Sequence, residues 1–355
     1  MPQLLNTLAT KEQVTCTPSR QDGIPCDLED EIRVYGCRLI QEAGMLLGLP
    51  QVTMACAQVL FQRFWFVSSL RQFRMLDIAM GCLFLSSKLE ETPKRIRDLI
   101  NVFDYLVKRD QHQAKYRPGP RSHQLGKARR KANTASTSNG TANHHAQIPP
   151  FEYKPMTYFA NEFYDTKDAL VIAEMQILKR LGFQVQVNLP YATMVNYLQL
   201  LGLTGSQTQD SPVAHDGQTF AQLAWAILND SLQTTIYCLF PPHVVAVSAI
   251  YLTSTLVKVS PPLPQQPKPW WELFDVSREE VRIVCSHIMR LYNDDPGEQS
   301  DSTKPTNDQP YVEASGGMAS RVREEWGGLA EFSDRNAIRD WLSYYGSSST
   351  KGKDG

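Results

Sequence analysis

IAMGCLFLSSKL, residues 78–89, recurs almost position for position as VAVSAIYLTSTL, residues 245–256. Ile78 stands on Val245, Phe84 on Tyr251, Leu85 on Leu252, and Leu89 on Leu256. No gap is needed, and the match extends over residues 59–89 against 226–256. Self-similarity at a fixed offset marks a duplicated unit. Both copies are apolar on nearly every side, as a helix surrounded by other helices must be. One position breaks the chemistry, because Lys88 stands on Thr255.

Working outward, apolar residues recur at three- and four-residue steps, the signature of amphipathic helices. Before the central segment the spacing predicts helices over 28–47, with Asp27 as N-cap, and over 51–67. After it a helix is expected to start at Thr92-Pro93, a cap followed by Pro at the first helical position. Another spans about 166–181 and stops at Gly182. The second half repeats the scheme at about 190–201, 217–233, 242–257, 270–274 and 277–292. No alternating strand pattern appears. The expected fold is all-α, a tandem pair of five-helix units, each with a central apolar helix wrapped by four others. The units are expected over 27–187 and 188–293, after an N-terminal extension, 1–26.

The 355 residues, 42% of them hydrophobic, suffice for two cores. A net charge of −1 gives no global basic excess for nucleic acid. Two segments are expected to stay disordered. The insertion 108–150 begins basic and becomes ANTASTSNGTANHHAQ, and the tail 294–355 is polar. Within the tail, 333–345 offers Ile338, Trp341, Leu342 and Tyr345 at helical spacing, a short helix that packs back on the body or docks a partner. The seven cysteines are scattered without C-x-x-C, so neither zinc nor a disulfide framework is expected. No apolar run is long enough for a membrane span, and no signal peptide is expected. No acid–base pair, activated nucleophile or phosphate loop is evident. The reading is a non-enzyme without cofactor, metal or small-molecule ligand.

Two charges lie in apolar rows. Lys88 ends the most apolar helix, and Glu174 sits between Leu170 and the pair Ile177-Leu178. A charge there is costly unless paired. Aligning the fifth helices by their stripes places Glu174 on Cys285, so the second copy neutralises both positions. The simplest inference makes Lys88 and Glu174 neighbours of each other or of one external surface; the alternative is that both reach solvent from helix edges.

At these residues the chain resembles the cyclin box, and the L-type cyclins in particular. FLSSKLEETPKRIRDLINVF (84–103), VLFQRF (59–64) and AEMQILKRLGF (173–183) carry the resemblance in the first unit. AWAILNDSLQT (224–234) and WWELF (270–274) fit it in the second. The resemblance implies a regulatory subunit that binds and activates a cyclin-dependent kinase, of PITSLRE type, in the nucleus. RNA polymerase II tails or splicing factors are the implied indirect substrates. It carries the hallmark kinase-binding pair onto Lys88 and Glu174, with Leu85, Leu89, Glu90, Glu91 and Leu178 around it.

The chain also departs from related patterns. Gln62 stands where cell-cycle cyclins have an acid, and their substrate-docking motif is not recognisable in GCRLIQEAGMLL. No Arg/Ser-rich tail is present. In the basic insertion, Lys127, Arg129, Arg130 and Lys131 form a candidate nuclear import signal. Two other readings stay open: a nucleic-acid adaptor like the TFIIB-type factors, and a K- or T-type cyclin with a different transcriptional kinase.

Overall fold

The structure is a computed structural model that describes residues 8–116, 150–203, 219–257, 263, 266, 268–292, 329, 336–340 and 342–343. Two short N-terminal helices, α1 (Lys11–Thr15) and α2 (Pro18–Gln21), precede the first unit. That unit comprises α3 (Cys26–Leu46), α4 (Gln51–Trp65), α5 (Met75–Leu89), α6 (Ile96–Tyr116) and α7 (Asn161–Arg180). The second comprises α8 (Tyr191–Leu200), α9 (Phe220–Ser231), the short α10 (Ile236–Leu239), α11 (Pro242–Leu256), a 3-10 turn (Trp270–Phe274) and α12 (Arg278–Arg290).

The duplicated segments are α5 and α11, and each is the axis of its unit. α5 buries all but three of its residues against α3, α4, α6 and α7. α11 is enclosed by α8, α9 and α12 in the same way. The close approach of α5 and α7 depends on Gly81. A Cβ there would stand 2.9 Å from Ile177 Cδ1 and 3.2 Å from Ala173 Cβ.

Several boundaries differ from the sequence expectation. α3 starts at Cys26 after Pro25, which leaves Asp27 in the first turn rather than at the cap. α6 starts at Ile96, not at Thr92-Pro93. Thr92 instead closes the end of α5: its N–H donates to Ser87 O at 2.8 Å while Glu91 takes a left-handed φ of 55°. The basic stretch after 107 is helical through Tyr116, so the inserted segment begins later than 108. Contacts with α3 hold this extension: Tyr35 Oη donates to Asp110, and Arg109 pairs with Glu42 at 2.6 Å. Of the segment 333–345 expected to be helical, residues 337–340 are helical, and Ala337 and Ile338 are buried in the first core.

The N-terminal segment that begins at residue 8 ties the units together. Ala9 N–H donates to Cys238 O at 2.7 Å, in the second unit. Thr17 Oγ1 and Arg20 Nε both donate to Glu29 Oε2, at 2.7 and 2.9 Å. Glu29 in turn faces Arg33, whose Nε donates to Gln62 Oε1 at 2.8 Å. Gln62 thus bonds a buried arginine, and Glu29 supplies the counter-charge. The Gln62 amide also donates to Cys37 Sγ at 3.2 Å and to Gln233 O of the second unit at 3.1 Å.

A carboxylate could accept from Arg33 but could not donate to Gln233, and it would add a second buried anion beside Glu29. Gln62→Glu is therefore expected to cost about 1–3 kcal/mol, the usual penalty for a buried polar group left without its partner. A urea titration checks this; an unchanged midpoint would show that the amide does not hold the units in register.

Candidate functional site

The end of α5 and the middle of α7 lie side by side. Lys88 Nζ is 2.6 Å from Glu174 Oε1, so the two charges in apolar rows are neighbours. Lys88 also sits over the Phe84 ring, 3.9 Å from its centroid. The lysine side chain is 45% exposed and the glutamate 16%. A pair this open contributes only about 0–1 kcal/mol to stability. Its value to the fold is small, and its position at the surface is the informative property.

The other candidate residues surround it. Leu85 is buried, Leu178 is partly buried, and Leu89, Glu90 and Glu91 are exposed. Glu91 holds its positive φ without being glycine, a strained conformation. Among the described residues no group of three or more His, Cys, Asp and Glu side chains is placed to hold a metal. Burial pushes the Cys56 thiol to about 11 and the Cys37 thiol to about 12. Both stay protonated at neutral pH and make poor nucleophiles. No described helix is long and apolar enough to cross a membrane. Lys127, Arg129, Arg130 and Lys131 lie outside the described residues.

A row of α7 that the sequence reading passed over completes the surface. Tyr164, Val171 and Met175 are large, apolar and 41–52% exposed. A helix turns about 100° per residue, which puts them on the flank that carries Glu174 and Leu178. The inward stripe of Leu170, Ala173 and Ile177 dominates the periodicity and hides this second one. Spacings of seven and four from Tyr164 through Val171 to Met175 were the available signal.

The second unit lacks this chemistry. Thr255 Oγ1 turns back to Leu252 O at 2.7 Å, and Cys285 Sγ meets Ser248 O at 3.6 Å. Tyr251, the counterpart of Phe84, packs edge-on against Trp271 instead of lying under a cation.

Comparison with known proteins bears on this geometry. A family model described as "Cyclin, N-terminal domain" matches residues 3–115. The chain is 35% identical over 287 residues to Cyclin-L1 of Homo sapiens, covering 81% of this chain and 44% of that protein. This protein belongs to the cyclin family. Its similarity is to the L-type members. Cyclin-L2 of Homo sapiens is 35% identical over 290 residues, covering 81% of this cyclin and 45% of that protein. Cyclin-L1 of Danio rerio is 33% identical over 288 residues, with 81% and 47% covered. The cyclin thus spans about half the length of the curated relatives it matches. Among solved structures, a chain of the yeast RNA polymerase II CTD kinase complex CTDK-1 superposes with a TM-score of 0.52 at 15% identity, covering 81% of this cyclin and 73% of that chain. This likeness concerns the fold, which is all-helical in both sequence expectation and structure.

Proposed function

We propose that this cyclin is the regulatory subunit of a cyclin-dependent protein kinase and makes no bond itself. One observation carries the reading: the Lys88–Glu174 pair, bordered by exposed apolar side chains, occurs in the first unit and not at the equivalent place in the second. A surface of this composition suits an amphipathic helix. Leu89, Val171 and Met175 offer apolar area worth roughly 25 cal/mol per Å² buried. The pair presents both signs of charge to polar groups of the same helix, which fixes register.

The helix it would receive is the one in the kinase that carries the ATP-site glutamate. Docking seats that glutamate in its ion pair with the catalytic lysine and frees the activation loop. Tighter binding to the active conformation than to the inactive one is sufficient to activate. The similarity to L-type cyclins supports a nuclear role in transcription and pre-mRNA processing, a PITSLRE-type kinase, and the RNA polymerase II tail or splicing factors as the kinase's substrates. The fold likeness to a chain of a CTD kinase complex agrees with this.

Affinity purification of the tagged full chain from nuclear extract, with mass spectrometry and phosphorylation of a polymerase-tail peptide, is expected to recover one kinase and its activity. Recovery of duplex DNA in a salt-dependent manner with no kinase would replace this reading by the adaptor one.

A further inference from the structure

α7 has a second exposed flank, and it borders a groove of about 250 Å³. The far wall is the loop 70–74 with the start of α5, and the tail segment closes one end through Ile338 and Arg339. The floor is apolar, with Phe73, Ile172 and Ala169. Ile172 is 60% exposed. At 100° per residue it points roughly 160° away from Glu174. The groove therefore faces away from the Lys88–Glu174 surface, and one helix serves two separate faces.

The rim is cationic. Arg71, Arg74 and Arg339 line the groove, and Arg180 lies over the Phe73 ring, 5.4 Å from its centroid. Among the described residues that line the groove the one carboxylate is Asp77, which pairs with Arg74 at 3.3 Å. Among the described residues, Arg71, Arg180 and Arg339 form no ion pair. The volume lies just below the roughly 300–1,000 Å³ of small-molecule pockets and suits one peptide side chain. Nucleic acid fits less well. Arg180 lies over one face of Phe73 and competes with a stacked base for it, and a single aromatic ring is a poor platform for successive bases.

We propose that this groove docks an acidic peptide segment of a partner protein, with one apolar side chain on the Phe73–Ile172 floor and flanking carboxylates on Arg71, Arg180 and Arg339. Guanidinium groups bind carboxylates through paired, charge-assisted hydrogen bonds, and three open ones around an apolar pocket select acid on both sides of an anchor. The tail segment is part of the site, because it supplies Arg339 and the end wall.

The test is fluorescence polarisation on the full chain. The probe is a labelled synthetic peptide with a central phenylalanine flanked by aspartates and glutamates. Saturable, salt-sensitive binding is expected, weakened roughly tenfold or more by Arg71→Glu combined with Arg339→Glu. Both side chains are exposed, so the variant is expected to fold and to retain the kinase of the proposed function as wild type does. Replacing the phenylalanine by glycine is expected to weaken binding as well. Equal affinity for the double variant, equal affinity for a peptide with lysine in place of every acid, or tighter binding of a labelled single-stranded RNA would each overturn the proposal.

Discussion

Lys88→Glu is expected to abolish retention of the kinase, and Glu174→Lys to do the same, while the protein keeps its helical content. The reasoning rests on two magnitudes. Within the isolated chain the pair is open to solvent, 45% and 16% exposed, so its loss changes stability by no more than about 1 kcal/mol. Under a docked partner the same charges would be desolvated. Breaking such a pair in an interface costs about 2–5 kcal/mol, a loss of roughly thirtyfold or more in affinity. Thermal melts by circular dichroism and quantitative pull-down therefore separate the two roles. The exchanged double variant, Lys88→Glu with Glu174→Lys, sharpens the test. It restores an internal pair but reverses the polarity shown to the partner. Rescue of the melt without rescue of kinase retention is the expected result; full kinase retention by either single variant would sink the interface assignment.

Gly81→Val is expected to damage both fold and site. The new Cβ would meet Ile177 Cδ1 at 2.9 Å, Ala173 Cβ at 3.2 Å and the Glu174 backbone nitrogen at 3.3 Å. The isoleucine tip can turn aside, but the backbone of α7 cannot. Overpacking of this kind costs about 1–3 kcal/mol, and the two further methyl groups add to it. Because Glu174 itself is one of the contacts, displacement of α7 also separates it from Lys88. A lower urea midpoint together with weakened kinase retention is expected. Gly81→Ser should be milder, since the second unit holds Ser248 at the matching position, fully buried between α11 and α12. A valine variant with wild-type stability would mean that the α5–α7 spacing is adjustable.

Much of the architecture was legible because the signal was local and repeated. The α5 and α11 segments are apolar all round, and that property alone requires neighbours on every side. Boundaries were less legible where a long-range contact overrode a local preference. Thr92-Pro93 has the composition of a helix start, yet Thr92 bonds to the end of α5 and makes contact with Thr53 Oγ1 at 3.2 Å. Lys108 to Tyr116 reads as a polar loop. It is helical because Tyr35 and Glu42, some seventy residues earlier, hold Asp110 and Arg109. The outward row Tyr164, Val171 and Met175 is hidden in the sequence for a related reason: two apolar stripes on one helix add up to weak amphipathicity, and only burial separates inward from outward.

By itself, then, the sequence determined the helical class, the duplication, and the restriction of Lys88 and Glu174 to one copy. Periodicity and self-comparison need no coordinates. Only the tertiary structure decided that the two charges, 86 positions apart, meet at 2.6 Å. It also decided that Gln62 joins the units and that the tail segment returns to wall an arginine-rimmed groove. Those outcomes depend on which helix faces approach each other, and that is set by packing at positions such as Gly81 rather than by any local pattern.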